Sequence, residues 1–157
     1  MKNKPVKISI GDIFTIPFKK EEFAYVQIVE KTSVNDCFIL FELTGKVKKL
    51  PSLSEIIDSR ILYLVYSVDT RIRENHWKFL GNISVPTINI SKEFIIDSPN
   101  GLIVNNNLDI FLRQANEKDI KTLKTFSSYS PSVLEKIVEF QFGNGRYFEY
   151  FEDLKYK

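Results

Sequence analysis

Gly11-Asp12-Ile13-Phe14-Thr15-Ile16-Pro17-Phe18, then Lys19-Lys20-Glu21-Glu22, then Phe23-Ala24-Tyr25-Val26-Gln27-Ile28-Val29-Glu30 is the stretch that decides the fold. Two β-rich runs flank a short charged break, the pattern of an antiparallel hairpin. Phe14 and Ile16 fall on one face of the first run, Ile13 and Thr15 on the other. In the second run Tyr25, Gln27 and Val29 alternate with Ala24, Val26 and Ile28. A period of two fits a half-buried strand and no helix. Pro17 has no N–H to give to a ladder, so it should end the first strand or lie on an edge.

Outward from this hairpin, Lys31 to Asp36 reads as a second turn, and Cys37 to Leu43 is an apolar run of strand length, buried on both faces or central in its sheet. Three sequential strands make a meander. Thr44 to Pro51, with Gly45, three lysines and a proline, reads as a loop. Ser52 and Glu55 have the spacing of a capping box, which predicts one or two helical turns over Ser52 to Asp58. Ile61 to Val68 is a strong fourth strand, Arg71 to Glu74 a charged loop or short strand, and Trp77 to Leu80 a fifth strand closed by Gly81-Asn82. A short sixth is expected at Phe94 to Ile96, amid breaks at Pro86, Pro99 and Gly101.

The character changes near residue 108. Asn116 to Phe126 predicts a helix with Ile120, Leu123 and Phe126 on one side. Ser130-Pro131 is a helix start, and the stripe Val133, Leu134, Ile137, Val138 stops at Gly143. A hairpin around Asn144-Gly145 competes for residues 138–150, though the period of 3.6 fits better. Tyr147, Phe148, Phe151 and Leu154 suggest one more short helical face. The expected plan is α+β: a mainly antiparallel, meander-like sheet of five to six strands followed by two or three helices. One domain over residues 1–157 is expected, β-rich over 8–107 and mostly helical over 108–157, with a frayed start at residues 1–7.

Composition bounds the function. Hydrophobic residues make up 43% and charged residues 27%, as in ordinary soluble domains. Thirteen Phe and seven Tyr suit an aromatic-filled β core. A net charge of +2 gives no broad basic field for nucleic acid. Cys37 is the sole cysteine, so no internal disulfide is expected. The basic N-terminus lacks the apolar run of a signal peptide, and the longest apolar run, Ile61 to Tyr66, is far short of a membrane span. A cytoplasmic protein without membrane association is expected.

Zinc needs several Cys or His ligands, and the chain has one of each, Cys37 and His76. A Cys–His nucleophilic pair is conceivable, but Cys37 opens an apolar strand, where a thiol is buried and inert. His76, beside a tryptophan, reads as a surface or strand-edge residue. No phosphate-binding glycine loop is present. The carboxylate pairs Glu21-Glu22 and Glu152-Asp153 read as surface charge. No catalytic, cofactor-binding or metal-ligating residue is expected. Lys46, Lys48 and Lys49, with Arg71 and Arg73 near aromatic strands, leave one alternative, a small β-rich module for single-stranded nucleic acid.

Three segments carry a family resemblance: Gly11 to Pro17 with the strand Phe23 to Val29; Trp77-Lys78-Phe79-Leu80-Gly81-Asn82 with Pro86 shortly after; and the helical start Ser130-Pro131-Ser132-Val133-Leu134-Glu135. Their order and spacing resemble the immunity protein 26 family of bacterial polymorphic toxin systems. The resemblance implies a cytoplasmic, non-catalytic antitoxin that binds and occludes a cognate protein toxin encoded beside it. Gly11, Asp12, Phe14, Pro17, Trp77 and Gly81 are expected to identify the fold rather than the contact surface. The turn after Pro17 is Gly-rich in the family and is Lys19-Lys20-Glu21-Glu22 here. Contact residues expected on exposed loops are Glu21, Glu22, Asp58, Asp69 and Glu74, suited to a basic toxin face. Oligomeric state and toxin identity have no signature in the sequence.

Overall fold

A computed structural model describes residues 6–157. The frayed start falls, for residues 1–5, outside the described residues. The chain forms β1 (Asp12–Lys19), β2 (Glu22–Lys31), β3 (Asp36–Lys46), α1 (Leu53–Asp58), β4 (Ile61–Ser67), α2 (Thr70–Arg73), β5 (Lys78–Asn82), β6 (Glu93–Ser98), β7 (Gly101–Asn106), β8 (Phe111–Gln114), α3 (Glu117–Thr122), β9 (Ser128–Tyr129), α4 (Pro131–Phe142) and α5 (Phe151–Leu154). A large sheet has the order β5-β1-β2-β3-β4-β9, and a small one the order β6-β7-β8. Every pairing is antiparallel except β4 with β9. The architecture is the expected α+β, with an antiparallel meander at its centre and helices at the end.

The alternation read from the sequence sorts the core into two layers. Phe14, Ile16, Ala24, Val26, Ile28, Phe38 and Leu40 face the apolar stripe of α4, with Phe151 and Leu154 of α5. Ile13, Tyr25, Val29, Cys37, Ile39 and Phe41 face the other way, against Ile56 of α1 and Phe94 of β6. Each side chain of this size contributes about 1.5–3 kcal/mol on burial. Being covered on both sides, β2 is not the half-buried strand that its alternation suggested; residues 24–29 are all buried.

Local signals set several boundaries. Ser52 and Glu55 form the capping box, with Glu55 N–H to Ser52 Oγ at 3.1 Å and Ser52 N–H to Glu55 Oε2 at 2.7 Å. Pro131 starts α4, and the helix ends at Phe142 before Gly143. The competing hairpin at 138–150 does not form. Pro17 lies beyond the last β1–β5 pair, Thr15 with Lys78, and beside a bulge between Pro17 and Lys19, so it occupies an edge without ending the strand.

Other boundaries differ from expectation. β3 continues through Thr44, Gly45 and Lys46 because the start of β2 stays paired with it, Phe23 opposite Gly45 and Glu22 opposite Lys46. Arg71 to Glu74 is part of a helical turn, α2, whose Ile72 is buried and whose Arg73 pairs with Asp69 at 2.8 Å, one turn back. Gly81 and Asn82 do not close β5 but belong to it, paired with Ile13 and Asp12. The small sheet adds β7 and β8, and strand structure runs past residue 108. The helix expected over Asn116 to Phe126 stops at Thr122, and Ile120 is 52% exposed. Residues after it turn extended to pair with β6: Ile95 N–H reaches the Lys124 carbonyl and Phe126 N–H the Ile95 carbonyl, both at 2.9 Å. That pairing supplies the backbone partners a longer helix would have used.

The small sheet is fixed to the large one by a cluster of three rings. Tyr66, Phe94 and Phe126 meet edge to face, with centroids 5.7, 5.1 and 5.6 Å apart. Gln27, fully buried in β2, donates Nε2–H to the carbonyls of Gly11 at 3.2 Å and Ile83 at 2.8 Å. It thereby holds the start of the extended segment 83–92, whose Ile83, Val85, Ile88 and Ile90 cover the same face.

Candidate partner-binding surface

Five of the six motif residues make close packing or hydrogen-bond contacts within the fold, and Pro17 does not. Gly11 has φ 93°, and a Cβ there would lie 2.7 Å from the Ile83 carbonyl oxygen. Both the left-handed backbone and the close approach require glycine. Asp12 is buried and accepts from Ser9 N–H and from Asn82 Nδ2–H, each at 2.8 Å. Phe14 is in the core, with Phe79 edge-on at 5.9 Å. Pro17 is exposed on its edge. Trp77 is buried beside Phe38 at 5.7 Å, and its Nε1–H donates to Glu135 at 3.2 Å, tying α4 to the loop before β5. At Gly81 a Cβ would come within 2.8 Å of Leu53 Cδ1, so its absence admits α1.

The five acidic contact candidates separate into two groups. Glu22 and Asp58 line one open groove of about 640 Å³, together with Lys46, Lys49, Leu50 and Glu55. Glu21 is exposed at the tip of the adjoining turn, with φ 65°, and its carbonyl accepts Val47 N–H at 3.0 Å. It holds the left-handed conformation that a Gly-rich turn supplies without strain. The Glu22–Lys46 pair is long, 3.9 Å, and solvated. Glu55 is held below the usual carboxylate range by the N–H and hydroxyl of Ser52. Behind the groove wall, the buried Tyr25 hydroxyl has no hydrogen-bond partner and abuts Gly45, where a Cβ would sit within van der Waals overlap of it. Burial raises the Tyr25 pKa.

Asp69 and Glu74 lie at the other end of the large sheet, where β4 ends beside Asp36. β2 runs ten residues between the two ends, roughly 33 Å at 3.3 Å per residue. Both carboxylates are engaged: Asp69 with Arg73, and Glu74 with Arg71 and His76 at 3.6 Å each. Arg71 also pairs with Glu135 at 2.8 Å. The basic residues considered for nucleic acid divide in the same way, with Lys46, Lys48 and Lys49 near the groove and both arginines neutralised at the far end. No continuous cationic track joins them.

Cys37 is fully buried, and burial pushes its thiol pKa up, so thiolate chemistry is suppressed. His76 is exposed and reaches only Glu74. Among the described residues, no group of three or more His, Cys, Asp or Glu is placed to hold a metal ion, and no helix is long and apolar enough to cross a membrane.

The described residues also expose apolar side chains that sequence reading passed over. Ile110, Phe111 and Leu112 on and beside β8 are 57%, 56% and 42% exposed. The signal was available: Asn105-Asn106-Asn107 is a turn sequence between two apolar runs.

The family model for immunity protein 26 matches residues 9–101. This chain belongs to the immunity protein 26 family. No curated protein and no solved structure is matched. Within this immunity protein the matched span takes in β1 to β6, the groove and both carboxylate groups, and ends at the first residue of β7. Membership implies a toxin partner. β8, α3, β9, α4 and α5 lie beyond the matched span.

Proposed function

We propose that this immunity protein acts in the cytoplasm by binding a cognate protein toxin and occluding it, with no reaction of its own. The observation that carries the reading is the groove, where Glu22 of β2 and Asp58 of α1, with Glu21 on the adjoining turn, bring carboxylates from separate elements to one end of the sheet. Along the groove Glu22, Glu55 and Asp58 outnumber Lys46 and Lys49, so a basic toxin face, as a nuclease would present, is favoured there, and charge complementarity speeds capture. A stable complex needs roughly 800 Å² per partner, so the groove is one part of a larger footprint. The rigid sheet beneath it keeps the ordering cost of binding low.

The test is a titration of the toxin domain encoded next to this gene, followed by toxin activity and by growth of toxin-expressing cells. Expected are a complex, loss of toxin activity with a break at equimolar ratio, and protection of the cells. Absence of both complex and protection would end the reading. Inactivation far below equimolar ratio would replace occlusion with catalysis.

A further inference from the structure

We propose that β8 is a docking strand, to which an extended segment of the toxin adds as a fourth strand of the small sheet. This rests on the toxin-binding reading above and names a second point of attachment.

The other strand edges identify β8 by contrast. The outer edge of β4 is paired by β9 and by the C-terminal segment, with Tyr156 N–H on the Leu62 carbonyl at 2.9 Å. The outer edge of β6 is paired by residues 124–126. Among the described residues β5, β8 and β9 are the other strands that stand last in their sheets, and β9 is a two-residue strand, Ser128–Tyr129, with no large exposed apolar side chain. β5 offers one large exposed apolar side chain, Phe79. β8 offers Phe111 and Leu112, with Ile110 and Leu108 leading into it. An open apolar edge is a template for another strand, and proteins ordinarily protect such edges with charge. The one charge on β8 is withdrawn: Arg113 is held by both oxygens of Glu93 at 3.1 Å and by Asp119 at 2.7 Å.

These features specify the occupant. It must be extended, because the unmet groups are a row of backbone donors and acceptors. Its side chains must be apolar, because the exposed ones here are. A second copy of this chain fits poorly. β8 has four residues and a bulge where it pairs with β7, and a ladder that short falls well below the ~1,200 Å² of a stable interface. A toxin engaging the groove or neighbouring surfaces as well supplies the remaining area. β8 also lies outside the span matched by the family model.

The test compares the affinity of the full chain for the adjacent-gene toxin domain in wild type, in Phe111→Lys/Leu112→Lys, and in Phe79→Lys. The double variant is expected to melt like wild type and to bind on the order of tenfold or more weakly. Phe79→Lys is expected to bind like wild type. In the wild-type complex, amide exchange along residues 111–114 should slow, which side-chain contact alone would not produce. An unaffected double variant, unchanged exchange over 111–114, or loss confined to Phe79→Lys would overturn the inference while leaving the toxin reading intact. Wild-type chain that binds no toxin would overturn both. A toxin-free dimer abolished by the double variant would assign the edge to a second copy instead.

Discussion

The two sheets of this protein solve the same packing problem in opposite ways. The large sheet is buried on both faces through β2 and β3, and one of its edges is closed by β9 and the C-terminal segment. The small sheet buries Phe94, Ile95 and Val104 and leaves every residue of β8 exposed. Stability concentrates where side chains are enclosed, and recognition requires surface that is not. The first sheet therefore sets the fold, and the second is free to present a surface.

The sharpest way to break this contrast is a pair of truncations. Trp77→Ala should cost about 3–5 kcal/mol in urea unfolding, through the cavity it leaves and the loss of its bond to Glu135. Phe111→Ala in β8 should change stability by no more than about 0.5 kcal/mol. Equal costs would show that β8 shares the core.

A second test probes the Tyr25–Gly45 contact inside the large sheet. Gly45→Ala places a methyl against the Tyr25 hydroxyl and should cost about 1–3 kcal/mol. Tyr25→Phe alone removes an unpartnered hydroxyl and should be near neutral. The double variant should recover part of the loss, since Pro51 Cδ at 2.9 Å and Tyr25 Cζ at 3.0 Å still crowd the methyl, and the recovery is read as a coupling energy in a double-mutant cycle.

Acid should separate the two sheets further. Arg113 holds Glu93 and Asp119 below their ordinary values of 4.5 and 3.8. Their contribution is present above those values and is lost as pH falls through the lower folded-state ones. Glu30 and Asp36 of the large sheet have the reverse sign, since burial raises both. Folding is penalised while they are charged, and the penalty lifts as pH falls through their raised values. Amide exchange followed from pH 7 to pH 3.5 should show β7 and β8 losing protection before β2 and β3.

The smallest expected effect is at the hairpin tip. Glu21→Gly relieves a left-handed backbone at some cost in chain entropy, for a net gain of about 0.5 kcal/mol in the same urea assay. No gain would mean that the hydrogen bond from Val47 already fixes this turn.

What the sequence made legible follows how local each signal is. The alternation at Ile13 to Ile16 and Ala24 to Val29, the capping box at Ser52 and Glu55, and Ser130-Pro131 before an apolar stripe are complete within a few residues, and each marked its element, although both strands are buried on both faces rather than half-buried. Gly45 looked like a loop residue because the ring that requires it, Tyr25, lies twenty residues earlier in the chain. The helix begun at Asn116 was overextended because the pairing of residues 124–126 with Ile95 is invisible in the local pattern. The candidate site shows the same limit. Glu21 and Glu22 were readable as surface charge, but the meeting of Glu22 with Asp58 at one groove, and the separation of Asp69 and Glu74 from it, depend on long-range packing.

Gln27 has a consequence for how such proteins can diversify. One amide, enclosed in the central hairpin, fastens the segment that leads to the small sheet, and it does so through main-chain oxygens alone. The oxygen of residue 83 is present whatever side chain it carries, and nothing past residue 92 takes part in these two hydrogen bonds. The exposed turns and outer strand of the small sheet can then drift or lengthen, so long as Phe94, Phe126 and the stripe of α4 keep their places in the core. A lineage pressed to follow a changing adversary could thereby re-tool the exposed strand of the small sheet without learning to fold anew.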